Sequence, residues 1–301
     1  RNRGFEAEVS YNKSINKDFG FNVAFNMSAI KNKMTELDGD VSYIGLPTSV
    51  IHSLNFDQEV SRSAIGQPIG SFYAYKEDGL FQSEAEIKSY TNNKGELLQP
   101  NAKPGDIKFV DVNGDGVIDG NDRDYIGNPL PDVTAGLTLG VNFHNFDLSL
   151  FFQGMFGNDV YDLTRYVGDF YNQSQYNKNS RVVNAWTPTN TNTDIPRVTM
   201  DDPNNNIRPS SYYVQDASFV RLKNMKIGYS VPQSILSKIK FNSLYIYAQA
   251  TNLFTITGYD GIDPEVGLQS YSSDYRNLDM GVDRGIYPLS RTFTFGVNVS
   301  F

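Results

Sequence analysis

The sequence predicts an all-β chain: about seven antiparallel strands from the wall of a transmembrane β-barrel, joined by long outer loops. Three observations predict it. Apolar residues recur at every second position over segments as long as a tilted membrane-crossing strand, about 9–11 residues. The connections between these segments alternate strictly between short and long. No stretch approaches the run of about 18 apolar residues that marks a membrane helix.

In chain order, Phe5, Ala7, Val9 and Tyr11 alternate with Glu6, Glu8, Ser10 and Asn12. Phe19, Phe21, Val23, Phe25, Met27 and Ala29 alternate with Gly20, Asn22, Ala24, Asn26 and Ser28. From Val133 to Phe143 an apolar row faces Thr134, Gly136, Thr138, Gly140 and Asn142, and Phe146, Leu148, Leu150, Phe152 and Phe156 form the next row. Two strands are less regular. Ala217–Ser230 slips phase between Leu222 and Met225, and Leu244–Ile256 breaks at Asn252; a bulge or the membrane rim explains either slip. The last strand, Arg291–Phe301, sets Phe293, Phe295, Val297, Val299 and Phe301 against Thr292, Thr294, Gly296, Asn298 and Ser300. One face of each strand is greasy and the other is small and polar, as in a wall between lipid and a watery lumen.

The links orient the strands. His144-Asn145 is a two-residue hairpin with Phe143 and Phe146 on one face, and Lys13–Asp18 and Val231–Phe241 are also short. The other three, about 30–132, 157–216 and 257–290, are long. Short turns belong to the periplasmic side and long loops to the outside, so the last strand runs inward. Seven strands with two open edges cannot close, so further strands are expected upstream. The competing reading is a secreted, calcium-binding β-rich adhesive or sugar-binding protein. It would need a second apolar layer over so much one-sided Phe.

Composition agrees. Only 39% of the 301 residues are apolar, yet there are 20 Phe and 19 Tyr beside one Trp. A net charge of −8 argues against a nucleic-acid partner, and the absence of Cys removes disulfides, thiolate metal sites and a cysteine nucleophile.

Several stretches resemble the SusC/RagA-type TonB-linked outer-membrane transporters: Ile65–Gln82, Pro104–Asp119, Ile126–Asp132, Ala217–Asn224, Ala250–Tyr259, Asp263–Glu265, Tyr287–Arg291 and the terminal Phe301. They follow one another in family order over nearly the whole chain, identifying residues 1–301 as the expected C-terminal portion of such a barrel. The resemblance implies the C-terminal part of a 22-stranded barrel in the outer membrane. It also implies a plug and TonB-contacting element upstream, and a SusD-like lipoprotein that captures oligosaccharides or peptides at the surface. A terminal aromatic such as Phe301 is the family's usual insertion signal, and it also completes the lipid-facing row.

Asp111–Asp122 carries the sharpest local motif. Asp111, Asn113, Asp115, Asp119 and Asp122, with the Val117 carbonyl, fall at EF-hand ligand positions, and Gly116 makes the turn. The expectation is a structural calcium clamp on an outer loop. A plain Asn-Gly and Asp-Gly turn is the alternative, since position twelve is Asp and the flanks do not read as long helices. No catalytic arrangement emerges: His52 and His144 are isolated, and Asp260, Asp263 and Glu265 read as loop charge rather than a glycosidase pair. Tyr161, Tyr166, Tyr171 and Tyr176 crowd one outer loop with Phe170, and Tyr212, Tyr213, Tyr271 and Tyr275 lie in or near the others. Such rings suit sugars or peptide side chains, with packing between loops as the alternative.

Overall fold

A computed structural model describes residues 1–45, 58–171, 177–239, 241–267 and 278–301. Seven wall strands form one antiparallel sheet in chain order: β1 (Asn2–Ser14), β2 (Phe19–Asn32), β3 (Val133–Phe143), β4 (Phe146–Phe156), β5 (Phe219–Ser230), β6 (Ser243–Thr251) and β7 (Thr292–Ser300). Each strand found in the sequence is present, and every neighbour in space is a neighbour in the order of the wall. The short strand Thr255–Thr257 continues β6 against β5.

The apolar parity pairs with itself across the wall. Val23 lies opposite Leu139, Leu139 opposite Leu150, and Ala250 opposite Phe293. Nothing covers that face among the described residues: Phe5 is 62% exposed, Val9 67% and Phe295 80%. A soluble sandwich would have packed a second sheet there, so the bare face is that of a membrane wall. At the short-turn end it gathers aromatic contacts, Phe19 on Phe143 and Phe146 on Tyr229, as barrels do at a membrane boundary. The turn between β3 and β4 is the expected two-residue hairpin. His144 takes φ +53°, Phe143 pairs with Phe146, and the His144 N–H donates to the Asp18 carbonyl of the neighbouring turn.

Both phase slips are bulges. On β5, Asn224 pairs with Phe151 and Leu222 with Phe152, leaving Lys223 as the extra residue. Across from it Asn252 takes φ +51° between the two parts of β6. Beyond the bulge Arg221 turns to the lumen side and meets the outer loops.

On the lumen face, small residues make room for large neighbours. A Cβ on Gly296 would fall within the Tyr247 ring, one on Gly228 would collide with Tyr245, and one on Gly140 with Asn22. Tyr245 and Tyr247 therefore lie across the wall, and their rings stack at 5.8 Å. Gly296→Val is expected to destabilise the barrel by about 1–3 kcal/mol through overpacking. Adding Tyr247→Ala should return most of that loss, read as the urea midpoint of refolded barrel; an unimproved double variant would show that the ring is not the obstacle.

Candidate functional site

The long connections run over 33–132, 157–218 and 252–291 and fold together above one rim of the wall. Tyr43–Gly45, Ser61–Ala64, Ser71–Tyr75 and Arg123–Gly127 form a small sheet. Asp159–Asp162 pairs with Val214–Asp216 and, in parallel, with Val282–Asp283, so the second and third loops share a sheet. Phe72, Phe109, Tyr161, Trp186, Tyr213 and Val282 belong to one buried core drawn from all three connections. This platform is where residues reach solvent beside the lumen.

Polar anchors lock it. The fully buried Asp106 of the first loop accepts from Asn206 Nδ2 at 2.9 Å and from Arg197 Nη2 at 3.2 Å, both of the second. The third loop is tied to the wall by Arg221, which is 2% exposed. It donates to Asp263 Oδ1 at 2.6 Å, Glu265 Oε2 at 2.8 Å and Thr255 Oγ1 at 2.7 Å. The bulged Lys223 adds a bond to Glu265 at 2.6 Å. Burial alone would raise the Asp263 carboxyl; the bonds from Arg221 and from the Glu265 and Leu289 amides hold it below its ordinary value instead. Asp260 pairs with Arg165 at 3.0 Å. None of the three carboxyls suspected of glycosidase chemistry is thus a free acid–base pair, because each is taken by a cation.

A cleft of about 510 Å³ opens between the second and third loops, lined by Asp162, Arg165, Asn179, Ser180, Arg181 and Asp260 among others. Asp162 is buried, which raises its carboxyl above the usual range despite bonds from Thr164 and the nearby Arg165. Two guanidinium and two carboxylate groups with a hydroxyl and an amide can hold a polar cargo by hydrogen bonds. These arginines went unnoticed in the sequence because single charges scattered through long loops carry no spacing signal.

The predicted contacts divide. Tyr161 has no exposed surface and Tyr166 is also buried; both rings serve the loop core, the alternative already open in the sequence. Tyr212 and Tyr213 are buried beside them, and burial pushes their hydroxyls well above the ordinary value. Tyr171 is exposed, while Tyr176, Tyr271, Tyr275 and His52 lie outside the described residues.

The Asp111–Asp122 loop is closed by its own side chains. Asp111 accepts from the Gly114 and Gly116 amides, Asn113 from Asp115, Asp115 from Val117, and Asp119 from Asn121. The buried Asp122 accepts from Val112 and Asp119, so both of its oxygens are engaged. Among the described residues no three acidic or imidazole groups gather closely enough to hold a metal ion.

No family model matches the chain. Over its full length it is 37% identical to TonB-dependent receptor P3 of Formosa agariphila, covering 28% of that protein. It is also 27% identical to TonB-dependent receptor SusC of Bacteroides thetaiotaomicron, covering 26% of it. The structure of the RagAB peptide transporter superposes over the whole chain with a TM-score of 0.72 at 23% identity, covering 29% of that chain, and so shares the fold. The chain thus spans under a third of the length of the relatives it matches, and these relatives are receptors and transporters rather than enzymes. In the order of its wall strands, its bare apolar face and its full-length similarity, the chain resembles a C-terminal part of the β-barrel of SusC/RagA-type TonB-dependent receptors.

Proposed function

We propose that the full-length receptor imports nutrients across the outer membrane, driven through TonB and partnered by a SusD-like surface lipoprotein. The described strands supply part of the wall and the loop platform supplies part of the cargo-facing rim. The observation that carries this reading is the uncovered apolar face of the wall opposite a polar lumen face, beneath loops packed into one body. The same bare face disfavours the secreted adhesive, which would have to hide it. Cargo is an oligosaccharide or a peptide. Likeness to a peptide transporter supports the second, and the charge-balanced cleft at Arg165 and Asp162 suits either; among the described residues Tyr171 is the exposed ring of the predicted set.

A strain lacking the receptor gene should lose proton-motive-force-dependent uptake of one class from a panel of labelled oligosaccharides and peptides, and a tagged receptor should co-purify with the lipoprotein. Undiminished uptake of every member would overturn import.

The spacing of Asp111, Asn113, Asp115, Val117, Asp119 and Asp122 supports calcium as a structural clamp, drawing together oxygens that here close turns on backbone amides. Calcium added to purified receptor is then expected to slow protease cleavage within Asp111–Asp122, and a chelator to restore it. An identical digestion pattern with and without calcium removes the ion from the account.

A further inference from the structure

The lipid-facing row of the first two strands ends in cations at its outer end. On β1 it rises through Tyr11, Val9, Ala7 and Phe5 to Arg3; on β2 it rises through Phe25, Met27 and Ala29 to Lys31. Arg3 and Lys31 face each other across the ladder. Lys33 follows on the same parity, its N–H donating to the Arg1 carbonyl at 2.9 Å. All three side chains are exposed, and among the described residues none of them is ion-paired with a carboxylate. The acids of β1, Glu6 and Glu8, lie on the lumen parity, and Asp132 is the acid that lines a small cleft with Lys31.

Their height matters. From Phe21 in the inner aromatic girdle to Lys31, the rise along a strand tilted by roughly 40° is about 25 Å, the thickness of the apolar band of an outer-membrane barrel. The cations therefore stand at the outer boundary between acyl chains and headgroups. Below them Ala29 keeps the surface low, and a depression of about 350 Å³ opens between β2, β3, β4 and β5, lined by Phe25, Ala135, Leu137, Phe152, Gly154 and Phe156 among others. Its upper part is level with Met27, which pairs with Ala135, about 13 Å along β2 from Lys31.

We infer that this corner of the outer wall binds a phosphate-bearing, multiply acylated lipid of the outer leaflet. The phosphate rests against Arg3, Lys31 and Lys33, and one acyl chain lies in the depression. Charge complementarity selects the headgroup, because three exposed cations stand together at a membrane boundary and none is ion-paired among the described residues. The groove selects a lipid over a soluble anion. The site lies on the opposite face of the wall from the cargo path and is independent of which cargo the receptor carries.

The test is native mass spectrometry of the full-length receptor released from micelles supplemented with diphosphoryl lipid A, its dephosphorylated form, or inorganic phosphate. Wild-type receptor is expected to retain diphosphoryl lipid A and to lose the dephosphorylated form. The combined Arg3→Ser, Lys31→Ser and Lys33→Ser variant should retain it about a hundredfold less, a factor of about five for each cation. Ala135→Trp, which fills the depression and spares the cations, should also weaken retention. Heat-modifiable migration on gels verifies that each barrel is folded. If the triple variant does not assemble, Lys33→Ser, exposed beyond the end of β2, should alone lower retention by about fivefold. Equal retention by folded cation variants, equal retention of dephosphorylated lipid, or inorganic phosphate bound as tightly as the lipid would each overturn the assignment.

Discussion

Replacing Arg221 by methionine is expected to free the third outer loop while leaving the wall folded. The guanidinium is buried, and it neutralises Asp263, whose side chain is 5% exposed. Removing one member of such a pair strands a charge in a dry environment, at a cost of about 3–5 kcal/mol. Because Asp263 and Glu265 sit in the loop and Arg221 in β5, the loss should appear as faster hydrogen exchange over 257–267. The heat-modifiable migration of the barrel should change little.

The pH dependence carries the sign of the interaction. Asp263 is held below its ordinary value in the folded state, so its contribution is complete above the unfolded carboxylate pKa, about 3.9, and is lost as pH falls through the lower folded value. Without Arg221 the buried carboxyl is better accommodated when protonated, so mild acid should slow exchange in the variant. A variant that exchanges like wild type at every pH would show that the clamp does not hold the loop. Arg221→Met with Asp263→Leu should recover much of the protection, since an apolar pair can replace a buried ion pair at little net cost.

Leu139→Arg is expected to impair the wall itself. Leu139 lies well inside β3 between Val23 and Leu150, on the bare apolar face. A cation there meets acyl chains, at a cost of about 2–4 kcal/mol near the midplane, falling to about 0–1 near the interfaces. Thr138→Arg, one residue away and facing the lumen, should be far milder, and Val133→Arg at the outer end of β3 intermediate. Urea unfolding of barrels refolded into lipid vesicles measures the series. Equal losses at Leu139 and Thr138 would mean that the alternation does not separate lipid from water.

The wall was legible because a strand spanning a membrane must repeat one decision at every second residue. Val133–Phe143 states it many times over, and a slip of one position would put Thr138 and Asn142 into lipid. The hairpin at His144-Asn145 was legible for a related reason: two residues leave one way for Phe143 and Phe146 to share a face. The slips near Lys223 and Asn252 were visible, but their cause was not, since a bulge and a strand leaving the membrane interrupt the pattern alike. The loops hid more. Tyr161 and Tyr171 sit in one aromatic-rich stretch, yet the first is core and the second exposed, and no local feature separates them.

The alternation, the order of short and long links and the family motifs determined by themselves that this chain is outer-membrane barrel wall with external loops. They did so because lipid on one side and water on the other impose a period that any single strand displays. Only the tertiary structure decided what the loops do. Arg221 meets Asp263, Arg165 meets Asp260, and Asp106 meets Arg197 across separations that follow no period. Those partners are set by how three long connections pack against one another, and burial around Asp263 and Asp106 strengthens charge pairs that in open loops would contribute almost nothing.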